Sequence, residues 1–427
     1  MIKPLHFTIG VEAMDCYIYA GYLFMALQDG NLVYIPMSAI LQRLCHRYGE
    51  YESLLRLAFS RNDYFSSAAG KLFLGIPEVY EALRKVWIKA SEKMDFRLSW
   101  SEISHDVKKI DTFSSPVLDM RMYAMNLYLG CENGLYESPL NVGNDNYSIY
   151  PSRLNKKFDA KVSGLNAGYG NVIVSSGRDG LFNAPLDKNL KTITVYDRPD
   201  SPVSYRTGWS SSNILNYDGD DSFEYLENET KKLDKTIGYS KFDGKGSKEV
   251  ITKIGSKKFG MDEMLKKRHI ETPQILYTFN SSQASFFCTK DSIYVLNFKS
   301  DKDENRYLSS KMKYLFVGHK KKFQKPISAS VVPAGCVIEF FDSVSLFHSG
   351  KEIVLEKEPT FRVRSFMNSI RYRNLVAATK MNDITIHSLE PFDTYDFRPN
   401  KETVINNISE PLGGSEINEY SNSDLPF

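Results

Sequence analysis

Seven times along this chain an apolar run climbs to a short polar turn, and a second apolar run leaves it. The copies are Tyr22–Met37, Asn126–Leu140, Asn171–Leu186, Asn213–Leu226, Ser285–Phe298, Gly335–Ser349 and Asn374–Leu389. Their turns are Asp29-Gly30, Asn133-Gly134, Asp179-Gly180, Asp220-Asp221, Asp291-Ser292, Asp342-Ser343 and Asn382-Asp383. Asn-Gly and Asp-Gly tolerate the positive φ angles whose twist matches flanking strands. Runs rich in Val, Ile, Tyr and Phe on either side read as strands, so each copy is predicted to be a β-hairpin. Three exit strands end alike, at Pro36-Met37, Pro139-Leu140 and Pro185-Leu186. Proline lacks a ladder donor and suits a strand end or a bulge.

Four of the six separations between successive turns fall between 40 and 51 residues. A repeat of about 40–50 residues is the spacing of propeller blades. Further strand signals follow the hairpins, at Lys191–Tyr196, Lys313–Val317 and Glu352–Glu356; others precede them, at Ser328–Val332 and Phe361–Phe366. Four strands per unit, repeated around an axis, is what a β-propeller requires. The pattern resembles the broad WD40-like and kelch-like β-propeller class, and it covers most of the chain. No copy ends in Trp-Asp or carries a Gly-His pair, so the resemblance stops at the class. It implies a mainly β fold, a seven-bladed β-propeller with a helical insertion in or after the first blade. Tandem β-sandwiches are the competing reading. Pro4–Ile9 is strand-like and is expected to pair with the last blade, because an unpaired blade edge would be exposed.

Two long gaps interrupt the period. From residue 39 to about 94 the apolar spacing turns helical. Residues 39–60 read as one or two amphipathic helices, and Pro77 suits a first helical turn. Val79, Leu83, Val86, Trp87, Ala90 and Met94 then share one helix face. The second gap, about 229–268, is polar and rich in Lys and Gly, and it reads as an extended insertion. After Lys401 there are five acids and no Lys or Arg. The expected organisation is residues 1–38 as first hairpin and ring closure, 39–110 as helical insertion, 111–400 as the remaining blades, and 401–427 as an acidic tail or docking peptide.

Chemistry-bearing motifs are sparse. Lys+Arg is 54 against Asp+Glu 52, so no bulk field draws the chain to nucleic acid or to an anionic membrane. Five scattered cysteines without a C-x-x-C argue for reduced thiols and a cytoplasmic setting. Cys131 and Cys288 read as buried, inert thiols. The first residues lack the apolar core of a secretory leader, and no run of about 18 apolar residues spans a membrane. No P-loop, strand-linked dinucleotide fingerprint, H-E-x-x-H or G-x-S-x-G is present. His348 and His387 fall at related hairpin positions, but two ligands do not make a zinc site. Asp218, Asp220, Ser222 and Glu229 match calcium-loop positions, yet Phe223 stands where the sharp turn needs glycine. The expectation is therefore no catalytic residue, no metal and no cofactor.

What remains is binding. Residues 311–325 hold six Lys and no acid, and residues 229–269 hold twelve Lys/Arg against six acids. The predicted function is a non-catalytic scaffold mediating protein–protein interaction within a multi-subunit assembly. Its partner-binding candidates are Val79, Leu83 and Trp87 on the helical insertion, and Tyr314, Lys320, Lys321, Lys322 and Phe323 on the basic stretch. Two alternatives stay open. One is an enzyme with its site in the central channel, where acid–base groups would come from strands far apart in sequence. The other is a nucleic-acid-associated subunit, with cations binding phosphate and aromatics stacking bases.

Overall fold

A computed structural model describes residues 3–143, 148–187, 191–210, 213–219, 223–228, 254–256, 275–281, 284–300, 306–317, 323–348, 350–392, 394–395 and 397. The acidic tail, nearly all of the 229–268 stretch, and Asp220, Ser222 and Glu229 of the calcium-like turn lie outside these residues.

The fold is a mainly β propeller. Its described strands form seven sheets of four or five strands. The first is Ala13–Tyr19, Tyr22–Leu27, Asn31–Pro36 and Lys108–Thr112. In the second, Val117–Tyr123 and Asn126–Cys131 precede Gly134–Val142, which carries both Ile149–Pro151 and Asn155–Phe158. The third is Gly164–Gly168, Asn171–Ser175, Leu181–Asp187 and Thr192–Ile193. The fourth is Arg206–Ser210, Asn213–Tyr217, Phe223–Asn228 and Ile254–Ser256. The fifth is Ile275–Asn280, Ala284–Thr289, Ser292–Ser300 and Arg306–Val317. The sixth is Ser328–Val332, Gly335–Glu339, Val344–His348 and Lys351–Glu356. The seventh joins the two ends of the chain: Arg362–Ser365, Leu375–Thr379 and Asp383–Ser388 are followed by Leu5–Gly10 and then Phe96–Ser99.

Each of the seven hairpins read from the sequence supplies the two middle strands of one sheet. Gly30 in the Asp29-Gly30 turn has φ +85°, and a Cβ there would lie 2.4 Å from the Phe113 carbonyl oxygen, so only glycine fits. Strands Asn126–Cys131, Asn171–Ser175, Ala284–Thr289 and Leu375–Thr379 are buried at every position, because each is covered on both faces by neighbouring sheets. The apolar cores accordingly lie between sheets. Phe24, Leu32, Met120 and Leu129 fill the first-to-second gap, Tyr128, Leu135, Val172 and Val174 the next, and Phe286, Cys288, Cys336 and Phe347 the fifth-to-sixth.

The first strand of every sheet packs against the first strand of the next, and Arg362–Ser365 returns to Ala13–Tyr19. Side chains stitch these inner strands together. Arg121 Nε donates to the Leu165 carbonyl at 2.9 Å, Asn166 Nδ2 to Thr207 O at 3.2 Å, and Arg206 Nη1 to Thr278 O at 2.8 Å. A second device repeats. Two-residue turns with both φ positive follow the inner strand in the first three sheets, at Ala20-Gly21, Ala124-Met125 and Tyr169-Gly170. The Met125 amide donates to Tyr19 Oη at 3.1 Å, and the Gly170 amide donates to Tyr123 Oη at 2.8 Å. Each tyrosine thus satisfies the turn of the following sheet.

Five α-helices lie between the third and fourth strands of the first sheet: α1 (Met37–Arg47), α2 (Glu52–Phe59), α3 (Ala68–Leu74), α4 (Pro77–Lys93) and α5 (Trp100–Ile103). Strand Phe96–Ser99 interrupts them and runs parallel to Leu5–Gly10. Helical residues end by Asp106, and Lys108–Thr112 then completes the first sheet.

The closing seam carries a titratable cluster. His6 sits opposite His387, with ring centroids 5.7 Å apart. His387 Nε2 meets Glu356 Oε1 at 2.7 Å, Lys380 Nζ donates to Glu356 Oε2 at 2.9 Å, and Asp95 lies 3.9 Å from His6. Burial opposes ionisation of Glu356, but the hydrogen bonds and charges of His387 and Lys380 outweigh it and hold its carboxyl down to about 2. Burial, helped by His387, lowers His6 from its ordinary 6.5 against the opposing pull of Asp95 and Glu356. Below about pH 6.5 the unfolded chain therefore takes up the His6 proton more readily than the folded one, so stability falls with falling pH. Urea midpoints measured from about pH 7.5 down to about 5.5 should decline, and His6→Gln should flatten that decline.

Candidate interaction surface

The central strands and the helical layer are the two places where chemistry could collect. Asp15 on Ala13–Tyr19, Asp119 on Val117–Tyr123 and Arg364 on Arg362–Ser365 meet in the interior, all three buried. Arg364 Nε donates to Asp15 Oδ1 at 3.0 Å, and its Nη2 reaches both Asp15 Oδ2 and, at 2.5 Å, Asp119 Oδ1. Asp119 Oδ2 also accepts the Leu165 amide at 2.6 Å. Burial disfavours the charged carboxylate, yet Arg364, Arg121 and Arg362 hold Asp119 well below the ordinary range. Both carboxylates are thus committed to a guanidinium that ties the seventh, first and second sheets together. A general base needs a carboxylate with room to accept a proton, whereas both carboxylates here already face the Arg364 guanidinium.

The described thiols point the same way. All five cysteines are buried and unpaired. Burial pushes Cys131 and Cys288 up to about 12 and raises Cys16, Cys45 and Cys336 as well, so none is poised as a thiolate nucleophile. His348 Nδ1 bonds the Ala334 carbonyl while His387 pairs with Glu356, so the two histidines have separate partners. Among the described residues no group of three His, Cys, Asp or Glu could hold a metal ion. No described helix is long and apolar enough to cross a membrane.

The helical layer is different. Its inner face belongs to the largest core, which joins α1, α2 and α4 to the first and seventh sheets. Trp87 lies fully buried there. Its Nε1 donates to Lys3 O at 3.1 Å, and its ring meets Phe392 edge-on at 5.7 Å. This corrects the sequence expectation: Trp87 fixes α4 to this chain's own core and is not offered to a partner. Phe323 is corrected in the same way. It is buried at 8% exposure, stacked 6.0 Å from Phe340 and edge-on 5.3 Å from Phe347. It fills the gap between the fifth and sixth sheets and belongs to a different core from α4. Tyr314 lies in the outer strand Arg306–Val317. Lys320, Lys321 and Lys322 lie outside the described residues, as does most of the basic 229–269 stretch.

Val79 and Leu83 are half-buried at the margin of the core. With Ile76 and Val86 they recur at three- and four-residue steps, which puts them along one side of α4. Ile76 and Val86 remain 45% and 40% exposed. Leu72 and Phe73 on α3 are 47% and 50% exposed, and the Phe73 ring meets Tyr64 edge-on at 6.4 Å. Leu72, Phe73 and Ile76 lie within three residues of Gly75, the turn between the two helices. Sequence reasoning passed over Leu72 and Phe73 because α3 is a single seven-residue helix, too short for its period to stand out.

No family model matches the chain, and no curated protein matches it. Among solved structures it is similar to the β-propeller domain of Cps50 (Swd1) from Myceliophteria thermophila, at 10% identity and a TM-score of 0.44, over 90% of this chain and 100% of that one. The propeller assignment rests on the sheets themselves.

Two substitutions separate core from surface. Trp87→Ala should cost about 3–5 kcal/mol in urea unfolding, whereas Val86→Ala one position earlier should stay within about 0.5 kcal/mol. Arg364→Met strands two buried carboxylates and should cost about 3–5 kcal/mol. The triple variant Asp15→Asn, Asp119→Asn, Arg364→Met should recover part of that loss, because no uncompensated charge remains.

Proposed function

We propose that the protein is a seven-bladed propeller acting as a non-catalytic scaffold, and that it docks protein partners through the α3–α4 side of its helical layer. Each of the seven sheets is read as one blade. The observation that carries the function is the exposed apolar residues Leu72, Phe73, Ile76 and Val86, set on helices that Leu74, Trp87 and Ala90 lock into the core. Large apolar side chains exposed together on a rigid support mark an interaction site, while those scattered singly do not. The support matters because an interface held on a rigid element loses little freedom on binding. The commitment of Asp15 and Asp119 to Arg364 supports a structural centre over a catalytic one. A partner presenting apolar residues, an amphipathic helix or an extended segment, matches the chemistry of this face. The cytoplasm is the setting that reduced, buried cysteines favour.

The test is affinity capture of the full chain, followed by identification of cross-linked partners. Leu72→Asp with Phe73→Asp should lose the captured chains while leaving the melting temperature within a few degrees, as exposed sites do. Unchanged capture by a folded double variant would remove this assignment.

A further inference from the structure

The hairpin turns of the first, sixth and seventh sheets lie at one end of the ring, where the inner strands begin. Ala13 stands opposite Leu27, Ser328 opposite Glu339 and Arg362 opposite Thr379, so each inner strand starts beside its own sheet's turn. A tight turn wants Gly, Asn, Asp or Ser and has no use for a large apolar side chain. The first turn, Gln28-Asp29-Gly30, obeys that rule. The sixth and seventh do not: Phe341 precedes Asp342, and Met381 precedes Asn382. These two are 74% and 69% exposed, more than any other large apolar side chain among the described residues.

Three further exposed apolar residues, Ile327, Phe361 and Met14, stand where the inner strands of the same sheets begin. Hydrogen bonds set the five side by side. The Ile327 amide donates to Glu339 O at 2.8 Å, and Thr360 Oγ1 donates to Glu339 Oε1 at 2.7 Å, which joins the sixth sheet to the seventh. The Phe361 amide donates to Thr379 O at 2.8 Å, and Thr379 Oγ1 donates to Met14 O at 3.2 Å, which joins the seventh to the first. Gln28 Nε2 crosses the same seam to Met381 O at 2.6 Å. The apolar residues thus span three adjacent sheets, on strand ends and turns that hydrogen bonds hold in place.

Charge gives this surface a direction. At the seventh-to-first seam the exposed acids are Glu12 and Asp29. The Gln28 amide donates to Glu12 O at 3.0 Å, so both acids adjoin the residue that bonds Met381. Two cations of this seam are already engaged, Arg97 with Asp383 and Lys380 with Glu356. Toward the sixth sheet the exposed charges are mixed, Lys325 and Lys357 with Asp342 and Glu358. An acidic flank repels a phosphate backbone and attracts a cationic side chain.

We propose that this end of the ring is a second docking surface. Its occupant is a protein segment that sets large apolar side chains against Phe341 and Met381 and a lysine or arginine against Glu12 and Asp29. The surface is separate from the α3–α4 face and does not depend on the reading of that face.

Selection of a random peptide library on the immobilised full chain tests it. Enriched peptides should combine Leu, Ile, Met or Phe with Lys or Arg. Phe341→Asp with Met381→Asp should weaken such a peptide about tenfold or more, as loss of an interface centre does. Glu12→Lys with Asp29→Lys should weaken it less and remove most of its salt dependence. All four positions are exposed, so the melting temperature of either variant should stay within a few degrees of the wild type. A library that yields no peptide, or acidic ones, overturns the proposal. So do peptides that bind the folded Phe341→Asp, Met381→Asp variant as well as they bind the wild type. A doubled mass in light scattering that Phe341→Asp abolishes assigns the surface to a second copy and equally overturns it. Leu72→Asp with Phe73→Asp should leave the selected peptides bound. Peptides lost with that variant belong to the helical layer and count against this surface alone.

Discussion

A sheet built from the last three strands of a ring has one edge with no successor, and this chain fills it from its own beginning. Leu5–Gly10 pairs antiparallel with Asp383–Ser388 along its whole length, from Leu5 opposite Ser388 to Gly10 opposite Asp383. Strand termini more than 370 residues apart thereby share one ladder. Every other sheet in the ring takes its strands in chain order, so this pairing is the one that joins the two ends of the ring. The non-local ladder closes a very long loop, but that entropy grows only with the logarithm of loop length. Buried Leu5, Phe7 and Ile9 on one face of the strand repay it through the core shared with α2 and the first sheet. Phe7 meets Phe59 of α2 edge-on at 4.8 Å, and Ser388 Oγ donates to the Ala58 carbonyl at 2.9 Å, so the same seam holds the helices.

The helical layer is consequently bound at both ends. It leaves the first sheet after Asn31–Pro36, lends Phe96–Ser99 to the outer edge of the seventh, and returns as Lys108–Thr112 to complete the first. An insertion tethered at one blade could swing. This one bridges two adjacent sheets, and its inner residues Ile40, Leu44, Leu55, Phe59 and Trp87 are buried in their common core. The mechanical result is a helical face whose orientation relative to the ring is set by packing. The Arg364 clamp adds a second constraint from inside. It spans the seventh, first and second sheets with one guanidinium, at the point where the ring closes. Such a buried cluster contributes little net stability on its own and much more to which strand faces which, since any other arrangement would strand a charge.

The hairpins were legible because they are local: a turn dipeptide and two alternating runs lie within about 16 residues, and all seven became the middle of a sheet. Pro77 announced α4 because its missing amide is tolerated only in the first turn. Burial was less legible. The face that carries Trp87 is apolar whether it meets a partner or this chain's own Phe392, and only the fold decides between them. Phe323 misled for a related reason, since lysines on either side disguised a residue that fills an inter-sheet gap. The tyrosine clips were hidden altogether. Tyr19 and Tyr123 act on turns 106 and 47 residues away in sequence, and nothing local distinguishes them from other strand tyrosines. Nor could Asp15, Asp119 and Arg364 be grouped in advance, with separations as large as 349 and 245 residues.

The same physics explains why Leu72, Phe73 and Ile76 matter once the core is known. Exposed apolar area costs about 25 cal/mol for each Å² left in water, and an internal neighbour would remove that cost. The layer has shown that it can bury such residues, since Leu74 between them is 1% exposed. An amphipathic turn needs polar residues on its outer side, and here that side carries leucine, phenylalanine and isoleucine instead. The core contacts of the layer are made by other residues, Leu74, Trp87 and Ala90 among them. The exposure of Leu72, Phe73 and Ile76 is what the docking reading rests on, and an aromatic strap through Phe392 and Phe397 braces the same corner, with the Phe397 carbonyl against Gly75.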